Sequence, residues 1–273
     1  MLFIFLFIVC LPFAILYATG YRLQSGFALV ETGGVYVSVA PSGATLSLNG
    51  KDVGVSGFLN HSFYIDNLAP GTYAIHVARD GDYPWYKTLI VEPRIVTDAQ
   101  AFLVPSEPVI RKIFISSIST STATTTLALT RAQYVVYADA FIPTTTKAIL
   151  TEDGVLAPDD SLGGENLYIE DGAVRLTWSR STSTIPSFMC TSPSLCEKSV
   201  IITHSKEMIT RANFFAGGIV YQSKVGGIFL AETDIRPTPL TVPLYQRPGA
   251  EYRLIGGTLI VKDGATLFEI SGF

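Results

Sequence analysis

The sequence predicts an all-β protein with one N-terminal transmembrane helix, a small β-sandwich and a second β-rich domain. Two observations support this fold class. Residues 1–20 include no charged side chain, which is typical of a segment that leaves water. From Val35 onward, apolar and polar residues alternate with the period of two that is typical of β-strands, and turns rich in glycine and proline separate the strands.

The N-terminal segment MLFIFLFIVCLPFAILYATG has the length of a membrane span. About 20 residues, each rising about 1.5 Å, cross a hydrocarbon core of about 30 Å. We therefore assign residues 1–21 to a transmembrane anchor, in which residues 2–21 contact the lipid bilayer. A cleaved signal peptide and a buried core helix are the alternatives, although no lysine or arginine precedes the apolar run and LYATGY is a poor cleavage site.

The composition of the chain argues against nucleic-acid binding. The formal net charge is −4 and 15% of the residues are charged, compared with about a quarter in ordinary soluble domains. The sequence contains no run of basic residues that would neutralise phosphates. We therefore expect no nucleic acid among the partners.

Residues 22–33 are interpreted as a short linker, and residues 34–105 have the pattern of a small β-sandwich. Asn49-Gly50 is a strong signal for a tight hairpin between two strands. The positions expected to point inward are apolar or aromatic: Val35, Val37, Val39, Tyr73, Ile75 and Val77.

Four motifs in this region occur in a recognisable order: Pro41-Ser42-Gly43-Ala44, LSLNG, LAPGTYAIHV and DGDYPWYKTLIV. In this order they resemble the PEGA domain, a small all-β module named for a Pro-x-Gly-Ala turn. One loop departs from the family, because this chain has VGVSGFLN where a Gly-x-Thr-Pro turn is common. Together with the apolar segment ending in YATGYR, the resemblance implies a PEGA-like β-sandwich in a membrane-anchored protein of the bacterial cell envelope.

The aromatic residues Tyr83, Trp85 and Tyr86 follow a turn at Gly81 and allow two interpretations. The first is core packing, where burying one aromatic side chain contributes about 1.5–3 kcal/mol. The second is an exposed platform on which sugar rings stack. On the second interpretation these three residues, with Trp178 in the following domain, are the candidate ligand-binding residues.

Residues 106–273 repeat a hairpin pattern, in which an apolar strand, a tight turn and a second strand follow one another. Three segments have it: NLYIEDGAVRLTW, GIVYQSKVGGIFLAET and GTLIVKDGATLFEIS. Hairpins recurring at about 40–50 residues indicate propeller blades, so this part loosely resembles β-propeller-like repeats.

A propeller usually has at least four blades, which requires residues 133–150 to begin an extra one. An incomplete propeller and a second β-sandwich are the alternatives. The segment SSISTSTATTT, residues 116–126, is interpreted as a strand or loop, with a glycosylated stalk as the alternative.

Two of the three cysteines, Cys190 and Cys196, flank the short loop CTSPSLC and can form a disulfide in an oxidising compartment. Free thiols are one alternative, and a metal site that adds His204 is another, although a fourth ligand is missing nearby. A disulfide favours an extracytoplasmic body. The positive-inside rule slightly favours the opposite orientation, because Arg22 is the basic residue nearest the apolar segment.

No motif in the sequence predicts catalysis. Neither Gly-x-Ser-x-Gly nor His-Glu-x-x-His occurs. Asp159 and Asp160 form the best acidic pair and are interpreted as a solvated turn, with a calcium loop and hydrolase carboxylates as alternatives. We therefore expect no catalytic residue, no metal, no cofactor and no enzyme activity.

These features together predict a non-enzymatic cell-envelope protein, anchored by a single pass, with its body on the extracytoplasmic side. Its expected work is surface binding or structural spacing, and the expected partner is a protein or a surface glycan. The alternative function is that of a carbohydrate- or cell-wall-binding protein that uses exposed aromatic side chains.

Overall fold

A computed structural model describes residues 2–24, 28–40, 42–57, 60–115, 126–142, 159–203, 208–237 and 239–273. Within these residues most of the chain forms β-strands in several sheets, so the prediction of an all-β fold is confirmed. The helices of the described chain are α1 (Leu2–Ala18), α2 (Arg131–Asp139) and two short 3-10 turns (Thr182–Thr184 and Ser187–Met189).

Helix α1 contains 17 residues and ends before the predicted boundary at residue 21. Most of its large apolar side chains that the structure describes are exposed, Phe3 by 83% and Phe7 by 63%. Among the residues that the structure describes, no helix combines the length and the apolar character that crossing a membrane requires.

Most of residues 22–33, interpreted from the sequence as a linker, pairs as a hairpin between α1 and the sandwich. Strand β1 (Tyr21–Gln24) runs antiparallel to β2 (Ala28–Glu31). Each strand has only four residues, which is too short for an alternating pattern to stand out in a sequence.

Polar contacts attach this hairpin to the sandwich. The Tyr21 hydroxyl and the Arg94 guanidinium both donate to the Glu31 carboxylate, and Arg22 donates to the side-chain oxygen of Asn67. The bond from Tyr21, with the charge of Arg94, lowers the pKa of Glu31. These contacts therefore hold the hairpin, which directly follows α1, against the sandwich.

The sandwich is built from these strands: β3 (Gly33–Val39), β4 (Thr45–Leu48), β5 (Lys51–Val55), β6 (Ser62–Leu68), β7 (Gly71–Ala78), β8 (Trp85–Val91) and β9 (Val96–Ala101). One sheet has the order β6-β3-β9 and the other β5-β4-β7-β8. Neighbouring strands pair antiparallel except β3 and β9, which run parallel.

The predicted inward rows of the sandwich are confirmed, except that Tyr73 is half-buried and packs at the margin of the core. Val35, Val37 and Val39 of β3 are at most 1% exposed, and so are Ile75 and Val77 of β7 on the opposite sheet. These rows pack against each other in one apolar core. Since successive residues of a strand point to opposite faces, the outer face of β3 and β9 carries Ser38, Asp98 and Gln100 together with the exposed side chains of Tyr36 and Val96.

The hairpin predicted at Asn49-Gly50 is also confirmed, and it joins β4 to β5. Both residues have positive φ angles, 50° for Asn49 and 77° for Gly50. A two-residue turn of this hand matches the twist of the strands it joins, and asparagine and glycine adopt it at low cost.

The rest of the described chain, here called the distal unit, contains these strands: β10 (Val109–Ile115), β11 (Thr126–Leu129), β12 (Asp160–Leu162), β13 (Glu165–Glu170), β14 (Ala173–Trp178), β15 (Cys190–Ser192), β16 (Leu195–Cys196), β17 (Ser199–Ile201), β18 (Ile209–Phe215), β19 (Gly218–Ser223), β20 (Gly227–Ala231), β21 (Thr241–Tyr245), β22 (Glu251–Ile255), β23 (Thr258–Asp263) and β24 (Thr266–Ser271).

Three larger sheets organise the distal unit. Sheet I has the order β12-β13-β14-β17, sheet II the order β18-β19-β20-β21, and sheet III the order β11-β10-β24-β23-β22. The three predicted hairpins are confirmed as β13-β14, β19-β20 and β23-β24. In sheet III the first strand of the unit, β10, pairs antiparallel with the last, β24.

The prediction of an extra blade beginning at residue 133 is wrong for the described part of that segment, which forms α2. Thr130 and Gln133 form a capping box, in which each residue bonds the backbone N–H of the other. This reciprocal bond satisfies two N–H groups at the helix start and favours a helix over a strand. Residues 116–125 and 143–150 lie outside the described chain.

A line of polar side chains connects the three sheets. The Asp160 carboxylate of sheet I accepts bonds from the Phe214 backbone N–H at 2.9 Å and from the Asn213 amide at 3.3 Å, both in sheet II. The Tyr252 hydroxyl of sheet III lies 3.0 Å from the Asn213 side-chain oxygen, as a donor to it. Burial raises the pKa of Tyr252, which stays protonated for this role.

Candidate functional site

The sandwich and the distal unit share one apolar core. Val35 and Trp85 of the sandwich belong to the same buried cluster as Val220 and Leu230 of sheet II and Tyr252 of sheet III. The two units are therefore packed as one body and do not meet merely through a flexible connection.

Close packing at this junction depends on one glycine. A Cβ atom at Gly218 would lie 2.7 Å from the Phe102 ring and 2.5 Å from the Ala231 carbonyl oxygen. A Cβ atom essentially never lies this close to another heavy atom, so the absence of a side chain at Gly218 lets β19 approach both the ring and the neighbouring strand.

A buried ion pair crosses the same junction. The Lys87 ammonium of the sandwich lies 3.0 Å from a Glu232 carboxylate oxygen of the distal unit, and both side chains are at most 2% exposed. Lys87 also donates to the backbone carbonyls of Asp234 at 3.0 Å and Arg236 at 3.1 Å. The other Glu232 oxygen accepts a bond from the Trp85 indole N–H at 2.6 Å.

The surroundings of Glu232 shift its pKa in opposite directions. Burial raises the pKa of Glu232, while the charge of Lys87 and bonds from the Leu240 backbone and Trp85 act in the lowering direction. Such a pair is stable only when hydrogen bonds satisfy both partners, as they do here.

A second buried pair, Asp234 and Arg236, completes the junction. The Arg236 guanidinium donates to both oxygens of the Asp234 carboxylate and, at 2.8 Å, to the backbone carbonyl of Asp98 in β9. Arg236 therefore connects the distal unit to the β6-β3-β9 sheet of the sandwich.

The disulfide loop makes a third connection. Cys190 and Cys196 are joined by a disulfide, and the enclosed loop presents two hydroxyls to the sandwich. Ser192 and Ser194 both donate to one Glu92 oxygen at 2.6 Å. The bonds from Ser192 and then Ser194 lower the pKa of Glu92.

A crevice of about 690 Å³ lies between the outer face of the sandwich and sheets I and II. Phenylalanines contribute much of its apolar lining: Phe102, Phe188, Phe214 and Phe215. Its acidic lining consists of Asp98, Glu165, Glu232 and Asp234. Its size is within the range of about 300–1,000 Å³ that is usual for ligand pockets.

The four carboxylates of the crevice are in two different states. The charges of Glu232 and Asp234 are neutralised by ion pairs with Lys87 and Arg236, neither of which lines the crevice. Asp98 and Glu165 have no salt-bridge partner among the described residues, and the Ser187 hydroxyl donates to Asp98 at 3.1 Å. Burial raises the pKa of Glu165, which is half-buried.

The aromatic residues proposed as a sugar platform do not form one surface. Trp85 is fully buried, so the platform interpretation is wrong for it, because its ring fills the shared core. Tyr83 packs against the same core. Tyr86 is 51% exposed and stacks on the His76 ring at 4.3 Å. Trp178 packs partly on the core of sheets I and II, and its indole N–H donates to the Ser181 carbonyl at 3.0 Å.

The acidic pair singled out in the sequence is used in backbone contacts. Asp159 accepts a bond from the Ile169 N–H at 2.7 Å, and Asp160 accepts bonds from the Ser161 N–H of its own strand and from the Phe214 N–H of sheet II. His204, considered as a metal ligand, lies outside the described residues. In the part of the chain that the structure describes, no group of three or more histidine, cysteine or acidic side chains is arranged to hold a metal.

Sequence reasoning missed the crevice carboxylates and the buried lysine. Lys87 had a local signal, because it occupies an inward position between Trp85 and Leu89 in an alternating strand. Asp98 and Glu165 had none, since each lies on an ordinary strand and gains its role only when distant elements meet.

No family model matches the chain, and no significant match to it occurs among curated proteins. The resemblance to the PEGA domain therefore stays a prediction.

Proposed function

We propose that this is a non-enzymatic protein of the cell envelope that attaches to a lipid bilayer through residues 2–21. Its body lies on the extracytoplasmic side and binds a partner in the crevice between the sandwich and the distal unit. The observation that carries the proposal is an exposed, uncharged apolar helix joined to a tightly packed β-body with an open crevice.

Two further features support the proposal. Moving the apolar side chains of α1 out of water lowers the free energy, and a bilayer offers an apolar environment for them. The disulfide between Cys190 and Cys196 suits an oxidising compartment outside the cytoplasm.

The finer fold assignment belongs to the same proposal. We interpret the sandwich as PEGA-like and sheets I, II and III as blades of an incomplete propeller-like arrangement. Two features support the second interpretation: four-stranded antiparallel sheets follow one another, and the first strand of the unit closes beside the last.

Cell fractionation with a protease-accessibility assay tests the proposal. We expect the full chain in the membrane fraction, cleaved by protease added to intact cells, with both loop cysteines blocked to thiol reagents until reduction. A Phe7→Lys/Leu11→Lys variant should move to the soluble fraction, because charged residues oppose burial in lipid, whereas Phe7→Leu should not. Full-length protein recovered from the cytosol, protected from protease in intact cells, would refute the proposal.

A further inference from the structure

We propose that the crevice binds an aliphatic diamine or polyamine, whose ammonium groups pair with Asp98 and Glu165 while its methylene chain packs on the phenylalanine lining. This inference rests on the proposed binding function and names the chemical class of the ligand.

The charge of the lining favours a cation. None of the residues that line the crevice is basic, and Asp98 and Glu165 are the carboxylates left without a salt-bridge partner among the described residues. A cleft lined by one sign of charge concentrates ligands of the opposite sign. An anionic ligand would meet repulsion from both carboxylates.

The apolar part of the lining favours a cation with a hydrocarbon body. Phe188 and Phe214 line the crevice from the distal unit, and Phe102 lines it from the sandwich. Burying a methylene chain against such surfaces is favourable, and ring faces also attract an ammonium group. A small hydrated metal ion would use none of these rings.

The placement of the two carboxylates favours a ligand with a charge at each end. Asp98 is on β9 of the sandwich, and Glu165 is on β13 of sheet I, so they belong to opposite walls. A single ammonium group neutralises one wall and leaves the other carboxylate uncompensated. A diamine neutralises both and connects the two units.

Titration calorimetry on the full chain in detergent micelles tests the class of ligand. Three probes share the same five-carbon chain: cadaverine, pentylamine and glutarate. We expect saturable binding of cadaverine, at least about tenfold weaker binding of pentylamine because one charge-assisted contact is lost, and no binding of glutarate. Spermidine tests whether a longer polyamine is preferred.

Variants of the crevice test its location. Asp98→Asn and Glu165→Gln should each weaken cadaverine binding by at least about tenfold, since each removes one charge from the pair. Asp52→Asn and Glu107→Gln make the same change at exposed sites outside the crevice and should leave binding unchanged. Near-ultraviolet circular dichroism of each variant should match the unaltered chain.

Two results would overturn the inference: no saturable binding of any amine, or equal loss of binding in the crevice variants and the exposed controls. If the amines fail to bind while the chain stays in the membrane fraction, the ligand class is wrong and the envelope function stands. If the chain is cytosolic, the envelope function fails whether or not amines bind.

Discussion

At the scale of single residues, Lys87 is the most consequential polar group in the molecule. It replaces an apolar side chain in the inward row of β8, between Trp85 and Leu89, and its ammonium is out of contact with water. Three oxygens from the distal unit surround it, one from Glu232 and two from backbone carbonyls. The lysine therefore fits only when the two units are docked.

Replacing this lysine should destabilise the protein strongly. Lys87→Ala leaves Glu232 as a buried charge without its cation, which costs about 3–5 kcal/mol, and urea denaturation measures the free energy of unfolding. A Lys87→Met/Glu232→Gln variant should recover much of this loss, because neither buried charge is then present. Lys51→Ala, at an exposed position of the sandwich, is the control. A loss below about 1 kcal/mol for Lys87→Ala would contradict the role given to the pair.

At the scale of elements, the disulfide loop acts on the sandwich through Glu92. Both hydroxyl donors come from the loop closed by β15 and β16, and they favour the charged form of the carboxylate. A carboxyl whose pKa is lowered by folding stabilises the fold above its ordinary pKa, and this contribution is lost as the pH falls through the lowered value.

A Ser192→Ala/Ser194→Ala variant should therefore raise the pKa of Glu92 toward its ordinary value. Carboxyl NMR titration measures it directly, and the acid-side loss of stability due to Glu92 should disappear from the variant. Thr191→Ala changes a hydroxyl of the same loop that contacts Leu195 and not Glu92, so it should leave the titration unchanged. An unaltered Glu92 pKa in the double variant would show that the loop does not control this carboxylate.

Hairpins with a local turn signal can be predicted from the sequence. Hairpins at Asn49-Gly50 and Asp171-Gly172 follow from residues that tolerate positive φ, whatever their distant neighbours. Helix α2 was missed although Thr130 and Gln133 have capping-box spacing, because the aromatic and β-branched residues that follow favour strands. There a local bond at the helix start outweighed residue preference.

At the scale of the whole molecule, the shared core should make the sandwich and the distal unit unfold together. Separating them would expose Trp85 and Val220 and would break the ion pair between Lys87 and Glu232. Differential scanning calorimetry of the full chain should show one transition whose calorimetric and van't Hoff enthalpies agree. The measurement is made in detergent micelles, which prevent aggregation through α1. Two resolved transitions would contradict cooperative unfolding of the two units.

The candidate site forms only where the two units of the molecule meet, which explains why it could not be predicted from the sequence. Trp85 and Glu232 are 147 residues apart, and their bond depends on the docking of two units. Alternation along β8 predicts that Trp85 faces inward, but it does not distinguish the core of one sandwich from a core shared by two units. The placement of Asp98 and Glu165 in the lining of one crevice has the same origin.

The pairing of β10 with β24 has a consequence for biosynthesis. Arg111 and Glu269, which form an ion pair across these strands, are separated by 158 residues. At about 5–20 residues per second, a ribosome needs on the order of 8 to 30 s to make the intervening chain. During that interval the nascent β10 has an open edge, so chaperones that shield exposed strands have their longest opportunity to act on this segment.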